Sequence, residues 1–189
     1  MKKYDHKFGN SSRANLEGVL PELVRVAELA ITLCEFDGTV LAGGGLRTLA
    51  QAQSNVSRGT GILNSLHRKQ SDGYGHAIDI VALTPGKGID WNNLEAFRAM
   101  AKAVKSASAM LSVPIRQGCD WDMDGIWGES REWDWPHCEH PKPHHMARAV
   151  ELMNEQRQAM GLATNGEIER RLSVIEYEVS EIRRLVSAV

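Results

Sequence analysis

The segment Gly75-His-Ala-Ile-Asp-Ile-Val-Ala-Leu83 reads as a strand buried on both faces, with one carboxylate, Asp79, near its centre. An almost unbroken run of Ile, Val and Ala is the pattern of an interior strand rather than of one with a wet face. A lone ionised carboxylate there costs several kcal/mol unless it is paired, hydrogen-bonded or bound to a metal. Asp79 therefore needs a partner. A salt bridge, a set of backbone donors or a metal ion would each serve.

Upstream, Arg58–Gly75 is rich in Gly, Ser and Asn and reads as loop. Thr48 is placed to cap a helix ending near Ser57, and residues 38–42 read as a short strand entering the Gly43-Gly-Gly45 turn. Pro21 suits the first turn of a helix whose apolar stripe runs through Leu23, Val24, Ala27, Ala30 and Ile31. Ser11 or Ser12 is placed to cap a short helix around 13–17. Downstream, a Pro85-Gly-Lys-Gly88 turn leads to an amphipathic helix over 91–110. Residues 113–116 and 133–139 are further strand candidates, separated by an acidic loop that bears tryptophans. Pro136 predicts an edge position or a bend for the second of them. Helices alternating with a few short strands, without a βαβ rhythm, predict an α+β fold.

A helix from Pro143 to about Met160 closes a domain spanning 1–160, and 161–189 reads as a helical appendage. In that appendage Ile168, Leu172, Ile175, Val179, Ile182 and Val186 form a heptad-like seam. It predicts either a homo-oligomer or a helix packed on its own domain.

The formal charge of −2 gives no electrostatic reason to expect a nucleic-acid partner. Cys34, Cys119 and Cys138 include no CxxC pair, so neither a zinc ribbon nor a disulfide framework is signalled. No apolar run approaches the ~20 residues of a membrane span, and the N-terminus lacks the apolar core of a signal peptide. A protein of this kind is expected to be made in the cytoplasm.

His67, one Gly-rich loop ahead of the strand, supplies with Asp79 two-thirds of a zinc site. Trp133-Asp-Trp-Pro-His137 offers a third ligand, His137, with an acid three residues before it. In an ideal strand Asp134 and His137 point to opposite faces, but a bend at Pro136 would turn both towards one cavity. Three protein ligands leave a fourth position for water, the catalytic pattern, and Asp134 is then the candidate base for that water.

These residues carry a family resemblance. Ser65-Leu-His67 followed by Gly75-His-Ala-Ile-Asp79 resembles the SxH…GxAxD signature of zinc peptidases of the D-alanyl-D-alanine carboxypeptidase and L-alanyl-D-glutamate endopeptidase family. Asp134-Trp-Pro-His137 is similar to its DxPH segment, and Gly45-Leu-Arg47-Thr48 to its GxRT segment. Leu16-Glu-Gly-Val19 with Pro21-Glu-Leu-Val24 resembles the opening of the phage-encoded members, which act as endolysins. The resemblance implies a small antiparallel sheet flanked by helices, of the Hedgehog/DD-peptidase kind. It implies zinc on His67, Asp79 and His137, with Asp134 as general base. Arg47 would polarise the scissile carbonyl or hold a substrate carboxylate, and Ser65 would contact substrate or support a ligand.

The implied substrate is the peptidoglycan stem peptide, cut between L-Ala and D-Glu after release through the inner membrane of a host. A D-alanyl-D-alanine carboxypeptidase, or a zinc-containing wall-binding module without activity, would use the same residues. Departures are the enlarged 68–74 loop and the residues Gln117, Cys119 and Ile126, where Trp, Gly and a polar residue are expected.

His76, three residues before Asp79, reads as a rim residue that touches substrate or supports a ligand. His140, His144 and His145 read as a polar loop leading into a helix. Asp120, Asp122, Asp124 and Gly125 copy positions 1, 3, 5 and 6 of a calcium loop. Arg131 stands where the closing Glu belongs, with Glu129 and Glu132 beside it as substitutes. Trp121, Trp127, Trp133 and Trp135 are expected mostly in the core, or else along a substrate groove.

Overall fold

The computed structural model describes residues 2–164 and, beyond them, residues 166, 167, 170, 172, 173, 175 and 179. Helices α1 (Asn10–Leu16) and α2 (Pro21–Leu33) precede strand β1 (Gly38–Val40) and helix α3 (Leu49–Ser57). Strand β2 (Ala77–Ala82), helix α4 (Leu94–Leu111), strands β3 (Arg116–Gly118) and β4 (Asp134–Glu139) and helix α5 (Pro143–Ala159) follow. The strands form one sheet in the order β1-β2-β4-β3, antiparallel at every pairing. The fold is therefore α+β with a small antiparallel sheet, as the sequence implies.

β2 is buried along its whole length, and its alternation divides two jobs. Ile78, Ile80 and Ala82 join Cys138 of β4 in a core built with Leu23, Val26 and Ile31 of α2 and Met100 and Val104 of α4. Asp79 points to the opposite face of the sheet.

Where the sequence signal was local, the elements fall as expected. Pro21 opens α2, and Thr48 and Gln51 close a reciprocal capping box at the start of α3. Other expectations are overturned by tertiary contacts. α1 begins at Asn10 with no side-chain cap. Ser12 instead hydrogen-bonds Thr39 Oγ1 at 2.8 Å and accepts from the Val40 amide at 3.1 Å, tying α1 to β1. The strand expected at 113–116 starts only at Arg116. The Val113 carbonyl is instead used by Ser108 Oγ, which finishes the end of α4.

β4 lies inside the sheet, not at its edge. It tolerates Pro136 because the β3–β4 ladder is interrupted there, stepping from Gln117↔Cys138 to Gly118↔Asp134. None of the four tryptophans of the acidic region reaches the core. Arg116, Lys105 and Arg98 lie over the rings of Trp121, Trp127 and Trp135, and Trp133 is 75% exposed. The cysteines are free and buried.

The seam residues Ile168, Ile182 and Val186, and with them the oligomer reading, lie outside the described residues. Leu172, Ile175 and Val179 of that seam are exposed. Among the described residues, no helix is long and apolar enough to cross a membrane.

α4 ends with Ser112 in the left-handed region, and the groups left open there are met by one buried guanidinium. Arg157 of α5 donates to the Ala109 carbonyl and to Ser112 Oγ, and its Nε donates to the Ala163 carbonyl at 2.6 Å. These charged hydrogen bonds hold α5 against α4. Arg157→Met keeps the stem but strands those acceptors. It is expected to cost roughly 1.5–3 kcal/mol, read from chemical denaturation.

Candidate active site

Asp79 of β2 stands directly opposite His137 of β4 in the ladder, which puts both side chains on the face turned away from the core. His67 reaches them from the loop before β2. Its carbonyl accepts from the Arg47 amide at 2.7 Å, and the neighbouring Leu66 carbonyl accepts from the His76 amide at 2.7 Å. The Gly43–Arg47 turn closes the third side, with the Gly44 carbonyl accepting from the Asp79 amide at 2.6 Å. Gly45 has no room for a side chain, since a Cβ there would lie 1.7 Å from the Asn15 carbonyl oxygen.

The three ligating atoms form a nearly equilateral triangle. His67 Nε2 lies 3.3 Å from Asp79 Oδ1 and 3.3 Å from His137 Nδ1, and His137 Nδ1 lies 3.1 Å from Asp79 Oδ1. All three residues are buried. Each imidazole has its outer nitrogen committed to an acceptor. His67 Nδ1 donates to the Gly45 carbonyl at 3.0 Å, and His137 Nε2 donates to Glu139 Oε2 at 3.1 Å. Both acceptors can take only a proton, so each imidazole, in its neutral form, carries its lone pair on the nitrogen facing Asp79. Glu139 is held in turn by Arg116 at 3.2 Å, and Arg116 also donates to the Trp121 carbonyl.

The charges are tightly linked. Burial on its own would raise the Asp79 carboxyl, but hydrogen bonds from His137 and His67 and their charges hold it well below the ordinary carboxylate range. Burial also disfavours a charged His137, yet Asp79 and Glu139 outweigh it and lift the imidazole to about 9. Arg47 Nη2 meets the outer oxygen of Asp79, Oδ2, at 2.6 Å, while its Nε donates to the Gly43 carbonyl.

A cavity of about 300 Å³ opens over the triangle and is lined also by Arg47, Ser65, Trp121, Asp134 and Lys142. Asp134 therefore shares one cavity with His137. The interrupted ladder makes this possible, and Gly118 permits it, because a Cβ there would come 2.4 Å from the Asp134 carbonyl oxygen. Desolvation raises the Asp134 carboxyl; His137 opposes the rise and Asp79 adds to it. Ser65 Oγ accepts from the His67 amide at 3.3 Å.

His76 lies apart from this cavity. Its Nε2 meets Asp72 Oδ2 at 2.7 Å and its ring rests edge-on against His140. His140, His144 and His145 join no metal-binding group among the described residues.

The acidic loop makes a second such group, Asp120, Asp122 and Asp124. Asp120 Oδ1 accepts from Gly125 N and Asp124 Oδ1 from Ile126 N, the turn expected of a cation loop. Glu132 is only 4% exposed. Its Oε1 accepts from Asp122 N at 3.2 Å, while its Oε2 is buried without a hydrogen-bond partner. Burial raises the Asp120 carboxyl, and the charge of Glu132 adds to the rise.

Glu139 and the Gly45 carbonyl were not read from the sequence. Glu139 had a legible signal, since it stands two residues from His137 on the same strand face. The carbonyl had none.

Two imidazoles and a carboxylate converging on one point, with a further carboxylate on the same cavity wall, are the donor set of a hydrolytic metal centre. The family model for phage L-alanyl-D-glutamate peptidases matches residues 4–140. The chain is 41% identical over 119 residues to the L-alanyl-D-glutamate peptidase of Escherichia phage T5, covering 63% of this chain and 84% of that one. A solved L-Ala D-Glu endopeptidase from Serratia marcescens superposes with a TM-score of 0.56 at 29% identity, covering 72% of this chain and 92% of that one. The chain belongs to the phage L-alanyl-D-glutamate peptidase family.

Glu139→Ala removes the acceptor that orients His137. Its affinity for a divalent metal, read by competition with a chromophoric chelator, is expected to fall about 10–100-fold. Glu139→Gln, which still offers an oxygen to Nε2–H, is expected to recover part of the loss.

Proposed function

We propose that this chain is a zinc peptidase that hydrolyses the L-alanyl-D-glutamate bond of the peptidoglycan stem peptide, as a phage endolysin. The triangle of donor atoms carries the reading. Its 3.1–3.3 Å edges are close to the spacing of about 3.3–3.4 Å that tetrahedral zinc, with bonds of about 2.0–2.1 Å, requires of its ligands. With their outer nitrogens committed to acceptors, both imidazoles have their inner nitrogens left for a metal that displaces the proton there, and two imidazoles with one carboxylate are a set zinc favours. His67 Nε2, His137 Nδ1 and Asp79 Oδ1 would hold it. Bound there, zinc supplies a Lewis acid for the scissile carbonyl and acidifies water.

The protein's own groups do the rest. Water adds to the L-Ala carbonyl carbon, and the bond to the D-Glu nitrogen breaks. Asp134 takes the proton from the attacking water and delivers it to the departing nitrogen. Its raised carboxyl, on the same wall as the ligands, suits both halves of that transfer. Arg47 keeps Asp79 oriented through Oδ2 and offers positive charge at the cavity wall to a substrate oxygen. Ser65 supports the His67 loop and lines the cavity. No substrate contact is assigned to His76.

The wall would be reached from the cytoplasmic side through a lesion in the host's inner membrane. Asp134→Asn is expected to abolish release of stem peptides from murein while zinc content stays stoichiometric. Mass spectrometry of the digest reads the bond: free D-Ala without cleavage after L-Ala would point to a carboxypeptidase. Wall binding that survives the substitution, with no wild-type product, would point to a non-catalytic module.

We also propose calcium for the acidic loop, on the strength of Glu132. Its unpartnered buried oxygen sits one residue beyond the closing position of a calcium loop, against the backbone of Asp122. Calcium is expected to raise the thermal midpoint of the wild type, and Glu132→Gln to remove that rise without changing zinc content. A midpoint indifferent to calcium in the wild type would overturn this site.

A further inference from the structure

Beside the catalytic cavity lies a second recess, of about 270 Å³, between the Ala42–Gly43 turn and α3. Arg47 lines both cavities. The two differ sharply in charge. The catalytic cavity sets Asp79, Asp134 and Glu139 beside Arg47 and Lys142, whereas the recess carries Arg47 and Arg58 with Gln51, Ser54 and Asn55, and no carboxylate. Arg58 is exposed at the end of α3 and its Nη2 donates to Asn55 Oδ1 at 2.6 Å. Among the described residues it has no carboxylate partner. Two guanidiniums, one amide-anchored and one held by Asp79 and the Gly43 carbonyl, therefore face a pocket that offers hydrogen-bonding side chains and no counter-charge.

We propose that this recess is a carboxylate subsite for the leaving-group side of the substrate, with Arg58 as the residue that makes the enzyme prefer a free D-Glu α-carboxylate to its amide. The inference rests on the stem-peptide reading above. In a stem peptide, negative charge is distributed unevenly about the scissile bond. On the L-Ala side the chain leads to an uncharged lactyl ether and sugar. On the other side D-Glu is linked through its γ-carboxyl, so its α-carboxylate is free and only three bonds from the scissile carbon. Further carboxylates follow on the next residues. Arg47 lines both cavities and so joins the triangle to the recess, whose other cation is Arg58. A guanidinium binds a carboxylate with paired donors, and an uncharged amide forfeits both the charge and one acceptor oxygen. The same arrangement sets the direction of the chain, with the sugar end leaving the cleft away from α3.

The test compares two synthetic stem peptides, one with the D-Glu α-carboxylate free and one with it amidated, on zinc-loaded wild-type, Arg58→Gln and Arg58→Lys protein. The wild type is expected to favour the free acid. Arg58→Gln should lower kcat/KM on the free acid by roughly three- to tenfold, mainly through KM, and leave the amide nearly unchanged. Arg58→Lys should restore part of the preference. Equal losses on both peptides, or no loss on either, would overturn the inference while leaving the peptidase reading intact. Failure of the wild type to cut either peptide would overturn both. Arg58 is a surface residue at a helix end, and matching circular dichroism and zinc content show that the variants fold.

Discussion

The register of one strand pair, Asp79 opposite His137, is the constraint on which the site depends. Side chains on a strand alternate, so a slip of one residue would turn Asp79 into the helix-packed core and bring Ile78 onto the site face. The core forbids that slip, because Ile78 and Ile80 are wedged against α2 and α4. Apolar packing on one face of β2 thus fixes the geometry of the polar face. Asp79 can stay ionised there because its surroundings answer its charge, with two imidazoles on one oxygen and Arg47 on the other. The cost of burying a carboxylate is offset locally rather than avoided.

β4 contributes two side chains to one cavity by breaking a rule of strands. A regular ladder would send Asp134 and His137 to opposite faces. The step in the β3–β4 pairing removes that parity over the span that contains Pro136, where a missing amide costs no ladder bond. Gly118 then lets β3 come close enough for the pairing to resume at Asp134. The proline, the glycine and the misfit of register form one device. It places a carboxylate beside the ligands without making it one of them.

Much of this was legible in the sequence where the cause was local. The all-apolar surroundings of Asp79 announced both a buried strand and a need for a partner, and Thr48 and Pro21 marked helix starts by capping chemistry. The alternation on β4 carried Glu139 as well, two residues from His137 on the same face, but strand parity alone does not tell an orienting carboxylate from a solvated one. What was not legible depended on distant chain. Ser12 has the composition of a cap but serves as a strut to β1. The tryptophans look like core by hydrophobicity, yet cations from α4 and β3 hold three of them at the surface. The interior place of β4 follows from a pairing with β3 whose irregularity no local propensity encodes. The carbonyl of Gly45 is invisible to any reading by residue type.

Arg116 shows how the parts are joined. One guanidinium holds Glu139, which orients His137, and also holds the Trp121 carbonyl inside the acidic loop, with the Trp121 ring 5.1 Å from the His137 ring. Glu132 from the far end of that loop receives the Asp122 amide. The path of residues 120–132 and the aim of His137 Nδ1 are therefore linked by hydrogen bonds rather than merely adjacent. A loop rich in acids and positive-φ turns would by itself be a poor foundation for a ligand. Arg116, on β3, ties it through Glu139 to β4, the strand that carries His137, so the loop borrows its order from the sheet and lends Trp121 to the cavity wall.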